Sequence, residues 1–181
     1  HGSALYNLDK LFPGKKVAEP DPLPYEKAGK LFSLEKTDAA KPNREQLQAL
    51  LYKAAEGNDA KQATTLCEMG ADPNEKGHDS HNPIEISSML GNLEALQALL
   101  ECDGVPTGWS MISAALNEEI ESMKLLAKYG ADLGQADEDG CTTLHYIAQD
   151  GSLEMVKYLV SKGVPHDVTC RGNETPLTWA G

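Results

Sequence analysis

A histidine-rich run is the first part of this chain whose residue types suggest chemistry. His78-Asp79-Ser80-His81 could offer imidazole and carboxylate ligands to a metal ion. Structural zinc is held by four ligands at recognisable spacing, and no cysteine or second histidine pair lies nearby in the sequence. We therefore predict a solvated loop here rather than a metal site.

Acidic runs are the second candidate, in Asp137-Glu138-Asp139 and between Asp72 and Glu75. A calcium loop needs alternating oxygen ligands that are closed by a glutamate about twelve residues along, and neither run has this pattern. The sequence also lacks a glycine-rich phosphate loop, a Cys-x-x-Cys pair and a Gly-x-Ser-x-Gly elbow. We predict that the chain is not an enzyme and has no catalytic residue, metal or cofactor.

The best-defined structural unit runs from Asp137 to Val164 and holds a turn, a short apolar helix and a second, amphipathic helix. A shift of 33 residues places Leu144 on Leu177. Three of the four steps between copies are 33 residues long, and the step from copy 2 to copy 3 is 27. Since neither helix of such a unit can bury its apolar side alone, the copies must stack.

Several segments of these copies, namely GADPN, TPL, TLH and Asp137-x-x-Gly140, together resemble the ankyrin repeat family. The resemblance implies an all-α solenoid of about four and a half helix-turn-helix repeats with short β-hairpin turns, here called fingers. It divides the chain into an N-terminal extension, residues 1–43, and an array, residues 44–181. The copies are 44–76, 77–103, 104–136, 137–169 and a partial copy at 170–181. Copy 3 lacks the usual Thr-Pro-Leu-His turn, and Asp103 stands where copy 2 would carry Gly-Ala.

Small and polar residues mark the predicted helix ends. Gly70, Gly130 and Gly163 each follow a second helix, where a residue in the left-handed conformation ends a helix at low cost. We also predict three N-caps, at Asn43 (with Gln46 as its capping-box partner), Asn92 and Ser152. His145 belongs to the TLH segment, and the resemblance implies that it ties neighbouring turns together by hydrogen bonds.

Charge is unevenly distributed along the chain, whose net charge is −12. Residues 1–43 carry seven lysines and six acidic residues, whereas residues 44–181 carry nine basic and 22 acidic residues. An acidic array repels nucleic acid and anionic lipid, so we predict a basic or amphipathic protein or peptide partner. Plain solubility is the alternative explanation of the charge.

The N-terminal extension differs in kind from the array. It contains a proline-rich linker from Glu19 to Pro24, followed by a short segment with Leu31 and Phe32. We predict that it caps the first repeat, and a docking peptide is the alternative. His1-Gly2-Ser3 resembles a remnant of cloning.

The cysteines and the lack of long apolar stretches indicate the cellular compartment of the protein. No stretch approaches the roughly 20 apolar residues of a membrane helix, and no signal peptide is visible. Cys67 and Cys102 are predicted to act as small apolar groups. Cys141 and Cys170 lie in successive turns and could pair, but reduced cysteines and a cytoplasmic location are the simpler prediction. A removed N-terminal signal is the alternative.

The resemblance also implies a partner site on the concave side, which the fingers and the ends of the first helices form. Its finger positions here are His78, Asp79 and His81 in copy 2, and Glu138, Asp139 and Cys141 in copy 4. Its first-helix ends are Glu56-Gly57, Met89-Leu90, Leu116-Asn117 and Gln149-Asp150.

Three of these positions, Met89, Leu90 and Leu116, are apolar and are predicted to neighbour one another across copies 2 and 3. The shortened finger between those copies carries Trp109. An apolar patch with acidic fingers around it suits a basic amphipathic segment. Two alternatives would remove the patch, because Trp109 could fold inward over it or Leu31 and Phe32 could cover it.

The sequence therefore predicts non-catalytic protein–protein recognition. A targeting or regulatory arm of a larger enzyme and a chaperone-like assembly factor for one client are the alternatives. Copy 5 lacks a second helix, so Leu177 and Trp179 have no following layer. We expect the natural chain to continue, and coverage of this edge by a partner or a second copy is the alternative.

Overall fold

The computed structural model describes residues 42–77, 80–150 and 152–180. Residues 1–41 of the N-terminal extension, with Leu31 and Phe32, lie outside them. Its helices follow one another in short antiparallel pairs. They are α1 (Arg44–Glu56), α2 (Ala60–Glu68), α3 (Pro83–Leu90), α4 (Leu93–Glu101), α5 (Gly108–Leu116), α6 (Ile120–Lys128), α7 (Thr143–Asp150), α8 (Leu153–Ser161), a 3₁₀ turn (Arg171–Asn173) and α9 (Pro176–Trp179).

Successive copies stack helix on helix. The first helices pack in order, from α1 against α3 to α7 against α9, and the second helices α2, α4 and α6 form a parallel layer. The side chains buried between these layers form one continuous core. Its fully buried members are Leu51, Leu66, Ile84, Leu96, Leu99, Met111, Ile112, Met123, Leu126, Ile147, Met155 and Leu159.

The fingers contain little extended structure. Isolated antiparallel bridges join Ala136 to Thr142 and Cys170 to Glu174, and the described part of the chain has no longer strand. The predicted all-α solenoid is therefore confirmed.

Local capping boxes determine where three first helices begin. The Asn43 side chain accepts a hydrogen bond from the Gln46 N–H at 2.8 Å, and the Gln46 side chain accepts one from the Asn43 N–H at 3.0 Å. Asn82 caps α3 and Thr107 caps α5 in the same way. Thr107 therefore starts a helix in copy 3 even though the usual turn motif is missing.

Asn92 and Ser152 lie at the predicted N-cap positions of α4 and α8, but the predicted capping bond is wrong, because neither side chain caps its own helix. The Asn92 amide instead donates to the carbonyls of Ala55 and Glu56, at 2.8 and 2.9 Å. The cap of α4 comes from the preceding copy, where Asn58 Oδ1 accepts from the Ala95 N–H at 3.0 Å. At the start of α4, stacking therefore supplies a polar group of the neighbouring copy in place of the local cap.

The glycines predicted to end second helices are confirmed. Gly70, Gly130 and Gly163 have φ values of +100°, +90° and +81°. Copy 2 has no glycine at this point, and Asp103 takes the left-handed conformation there with φ of 61°.

The turn within a copy also requires a positive φ. Gly91 adopts φ of +68° between α3 and α4, whereas the matching position of copy 3 holds Glu118 with φ of 61°. A side chain with a Cβ is strained in this region. The Glu118 side chain is exposed, so no burial of apolar surface offsets that strain.

Replacement of Glu118 by glycine is expected to raise the free energy of unfolding by about 0.5–1 kcal/mol, because glycine adopts this conformation without strain. Urea unfolding followed by circular dichroism measures the change. Glu119→Gly is the control at the adjacent position, since Glu119 has φ of −87° and glycine relieves no strain there. Equal effects of the two substitutions would contradict the assignment of strain to Glu118.

Candidate partner-binding site

The finger of copy 2 is joined to copy 3 by a small polar cluster. Trp109 Nε1 lies 3.4 Å from His81 Nδ1, and the two rings are nearly parallel, with centroids 6.5 Å apart. The same His81 nitrogen lies 3.4 Å from a carboxylate oxygen of the buried Glu85. Thr107 Oγ1 donates to the other carboxylate oxygen at 3.3 Å. The cluster fixes the orientation of the predicted finger residue His81.

Trp109 is not part of the finger as predicted, because it is the second residue of α5. The Thr107 capping box begins the helix before it. The half-buried indole lies along His81. Of the other predicted finger residues of copy 2, His78 and Asp79 lie outside the described residues.

The apolar patch predicted across copies 2 and 3 is less exposed than expected. Met89 is only 6% exposed, whereas Leu90 and Leu116 are half-buried. Asn117 is also half-buried, and its side-chain amide donates to the Ser113 carbonyl at 2.8 Å. The surface that remains available at these first-helix ends therefore consists of Leu90, Leu116 and part of Asn117.

The finger of copy 4 is organised by Asp137. One carboxylate oxygen of Asp137 accepts from the N–H groups of Asp139 and Cys141, both at 2.9 Å. The other oxygen accepts from the Tyr146 hydroxyl at 2.5 Å. Burial, followed by this hydrogen bond, raises the pKa of Tyr146 to about 12. The tyrosine is therefore neutral and serves as a fixed donor near neutral pH.

The remaining predicted residues of copy 4 differ in their surroundings. Glu138 and Gln149 are exposed. Asp139 is also exposed and forms an ion pair with Arg171 of copy 5. Asp150 is the last residue of α7, and Cys141 is buried and therefore cannot contact a partner.

An aromatic pair on the same side was not predicted. Trp179 meets Tyr146 edge to face with ring centroids 5.6 Å apart, and its indole N–H donates to Glu174 at 2.8 Å. Both rings are half-buried. The sequence held a signal for this pair, because the two residues are one repeat of 33 positions apart. Leu177, in contrast, is 81% exposed.

His145 ties two turns together, as the family resemblance implied. Its ring is fully buried, and Nδ1 lies 3.1 Å from the Thr142 N and 3.0 Å from Thr142 Oγ1. Its Nε2 lies 3.3 Å from the Glu174 carbonyl of the next copy. Since the backbone N–H of Thr142 donates to Nδ1, Nε2 carries the proton and donates to Glu174.

The prediction of reduced cysteines is wrong for one pair. Cys141 and Cys170 form a disulfide with their Cα atoms 4.8 Å apart. The fingers of copies 4 and 5 stack closely enough to bring the two side chains together, which the spacing of the residues alone did not reveal. Cys67 and Cys102 are free and half-buried.

The described residues hold neither a metal-binding group nor a membrane-spanning helix. Within residues 42–77, 80–150 and 152–180, no three histidine, cysteine or acidic side chains are grouped so that they could hold a metal ion. Over the same ranges, no helix has the length and apolar character needed to cross a membrane.

Comparison with known proteins identifies the repeats. A family model described as ankyrin repeats (3 copies) matches residues 110–181. Protein phosphatase 1 regulatory subunit 27 of Homo sapiens is 40% identical over 72 residues, which are 39% of this chain and 47% of that protein. The chain thus spans about half the length of this relative.

Two further relatives differ greatly in size. Notch-regulated ankyrin repeat-containing protein of Xenopus tropicalis is 31% identical over 81 residues, which are 45% of this chain and 71% of that protein. Palmitoyltransferase ZDHHC17 of Mus musculus is 34% identical over 129 residues, which are 71% of this chain and 19% of that protein. Ankyrin repeats are protein-interaction modules. The stacked helix pairs and these matches together show that this chain belongs to the ankyrin repeat family.

Proposed function

We propose that this chain is a non-catalytic recognition module that binds a basic or amphipathic protein segment on the side formed by its fingers and first-helix ends. The observation that carries the proposal is the stronger acidic excess on the finger side. The second helices hold acidic residues and lysines in similar numbers, their acidic residues being Glu68, Glu94, Glu101, Glu121 and Glu154. Five of the basic residues belong to the second helices or their ends, on the opposite side, namely Lys61, Lys124, Lys128, Lys157 and Lys162.

The finger side is rich in acidic residues. Two of its cations are already neutralised, since Arg44 pairs with Glu75 at 2.9 Å and Arg171 pairs with Asp139. An excess of negative charge on one side attracts a basic segment and speeds its association. The acidic finger residues are Asp72, Glu75, Asp103, Asp132, Asp137, Glu138, Asp139, Asp167 and Glu174.

The apolar part of the proposed site lies at Leu90 and Leu116, which end α3 and α5, and Asn117 follows Leu116 directly. Trp109 and His81, which contact each other near the starts of these two helices, also belong to the proposed set. Half-buried leucines and an indole can contact the apolar face of an amphipathic helix. On the copy 4 side, Glu138, Asp139 and Gln149 offer polar contacts, and His78, Asp79 and Asp150 complete the proposed set. Met89 supports Leu90 from within the core rather than contacting the partner.

The names of the relatives agree with a role in protein binding. Protein phosphatase 1 regulatory subunit 27 is, by its name, a regulatory subunit of another protein. The matched part is only 47% of that relative. A phosphatase is therefore only one candidate partner for this chain, beside other proteins with a basic or amphipathic segment.

The double substitution Leu90→Glu/Leu116→Glu is expected to weaken partner binding at least tenfold, because it removes apolar contact and adds charge at the proposed interface. Binding is measured by fluorescence anisotropy with a panel of amphipathic helical peptides that share one apolar face and differ in net charge. The basic peptides should bind more tightly than the neutral and acidic ones. Their affinity should fall as salt is added.

A matched control places the same charges elsewhere. Leu153 and Val160 are 63% and 46% exposed on α8, so Leu153→Glu/Val160→Glu alters apolar surface on a second helix. Circular dichroism confirms that both variants are folded. Equal loss of binding in the two variants, or equal affinity for acidic and basic peptides, would contradict the proposed site.

A second candidate function is a targeting or regulatory arm of a larger enzyme. The observation that favours it is the match to a palmitoyltransferase, in which 71% of this chain aligns with 19% of the enzyme. The length of the native reading frame tests this candidate, because an adjoining catalytic domain would support it and a frame that ends close to the array would refute it.

A further inference from the structure

An open cleft lies at the C-terminal ends of the second helices of copies 1 and 2, and it shares Asp72 and Asp103 with the acidic finger side. It has a volume of about 510 Å³. Both free cysteines of the described chain, Cys67 near the end of α2 and Cys102 just after α4, line it. The cleft therefore gives small molecules a path to two thiols from neighbouring copies.

The surroundings of the two thiols are acidic. Four carboxylate residues line the same cleft, namely Glu68, Asp72, Glu101 and Asp103. Burial, then the adjacent Cys102 side chain, and then Asp72 and Glu68 raise the pKa of the Cys67 thiol to about 12. The negative charges disfavour a thiolate and anionic reagents, and they attract cationic reagents into the cleft.

We propose that Cys67 and Cys102 form a dithiol site that small cationic disulfides oxidise to a cross-link between copies 1 and 2. This site is open to solvent at the cleft, whereas the Cys141–Cys170 bond is buried, with its cysteines 0% and 4% exposed. A cross-link here would join the second-helix layer of the first two copies. The Cys141–Cys170 bond joins the fingers of the last two.

The reaction is two successive thiol–disulfide exchanges. One cysteine loses its proton, and its thiolate attacks one sulfur of the small disulfide and releases the other sulfur as a thiolate, which takes up a proton. The second cysteine then loses its proton and displaces the remaining small thiol from the mixed disulfide. The two cysteines are oxidised by two electrons, and the small disulfide is reduced to two thiols.

The pH dependence of closure follows from this scheme. Each cysteine must lose its proton before it attacks a disulfide. The rate of the step in which Cys67 attacks therefore depends on the raised pKa of its thiol. We expect the closure rate to rise about tenfold per pH unit from about pH 8 to about pH 10, because only the thiolate reacts. For a pair of thiols with ordinary pKa values, the closure rate would stop rising near pH 8.5, because the usual cysteine pKa is about 8.5.

The test incubates the full chain with cystamine, a cationic disulfide, or with glutathione disulfide, which is anionic, at low salt. Mass spectrometry of peptides from a non-reducing digest follows the products. We expect a peptide that links Cys67 to Cys102, formed several-fold faster with cystamine. High salt should reduce this difference between the reagents.

Single variants provide the control. Cys67→Ser and Cys102→Ser are each expected to stop at a stable mixed disulfide, because the second thiol is missing. Two stable small-molecule adducts on the wild-type chain without the linked peptide would overturn the proposed dithiol. Equal closure rates with both reagents would overturn the selection by charge. Both outcomes are read from the wild-type chain, so they do not depend on the folding of the variants.

Discussion

Substitution of His145 by alanine is expected to lower the free energy of unfolding by about 3–5 kcal/mol. The ring is fully buried and contacts the Thr142 N–H, the Thr142 hydroxyl and the Glu174 carbonyl. Alanine would leave these polar groups without their partner and would open a cavity in the core. Urea unfolding monitored by circular dichroism measures the loss.

An exposed histidine supplies the control for this substitution. His166 is exposed, so His166→Ala should change the free energy of unfolding by no more than about 0.5 kcal/mol. His145→Leu retains most of the volume but none of the hydrogen bonds, and it should lie between the two. A loss of less than about 1 kcal/mol for His145→Ala would show that the turns of copies 4 and 5 do not depend on this residue.

Removal of the Cys141–Cys170 disulfide is expected to cost about 3.5 kcal/mol of stability, because the bond closes a loop with a sequence separation of 29 residues. The double variant Cys141→Ser/Cys170→Ser should unfold at lower urea concentration than the oxidised wild type. The loss should be greatest at the end of the array. Amide hydrogen exchange in residues 170–180 should therefore be faster in the variant.

Reduction offers an independent comparison for the same bond. Dithiothreitol should destabilise the wild-type chain by a similar amount and should leave the double variant unchanged, since Cys67 and Cys102 are already free. If dithiothreitol has no effect on wild-type stability, the disulfide is absent in solution, and the reduced state expected from the sequence applies to all four cysteines.

The features that the sequence predicted correctly depend on residues close together in the chain. The capping box of Asn43 spans three positions, and the left-handed conformations of Gly70, Gly130 and Gly163 answer a steric requirement at each helix end. Such requirements are local. Because the helix pair repeats along the chain, the same local requirements recur in each copy.

Several of the errors have the opposite property, because they concern contacts between copies. Asn92 reaches back to Ala55 and Glu56, and Asn58 caps a helix in the next copy. Met89 is buried, although the sequence predicted that it lies in an exposed apolar patch. Its burial depends on tertiary packing, which the pattern of one repeat does not describe.

The amino-acid sequence alone thus established the repeat family, the order of the helix pairs, the helix-ending glycines and the linking role of His145. Tertiary structure was needed for the Cys141–Cys170 disulfide, the Tyr146–Trp179 pair and the exposure of Leu90, Leu116 and Met89. The physical reason is the difference in sequence separation between the residues that interact. Helix pairs follow from interactions within a few residues, whereas these contacts join residues about thirty positions apart and depend on how closely neighbouring copies stack.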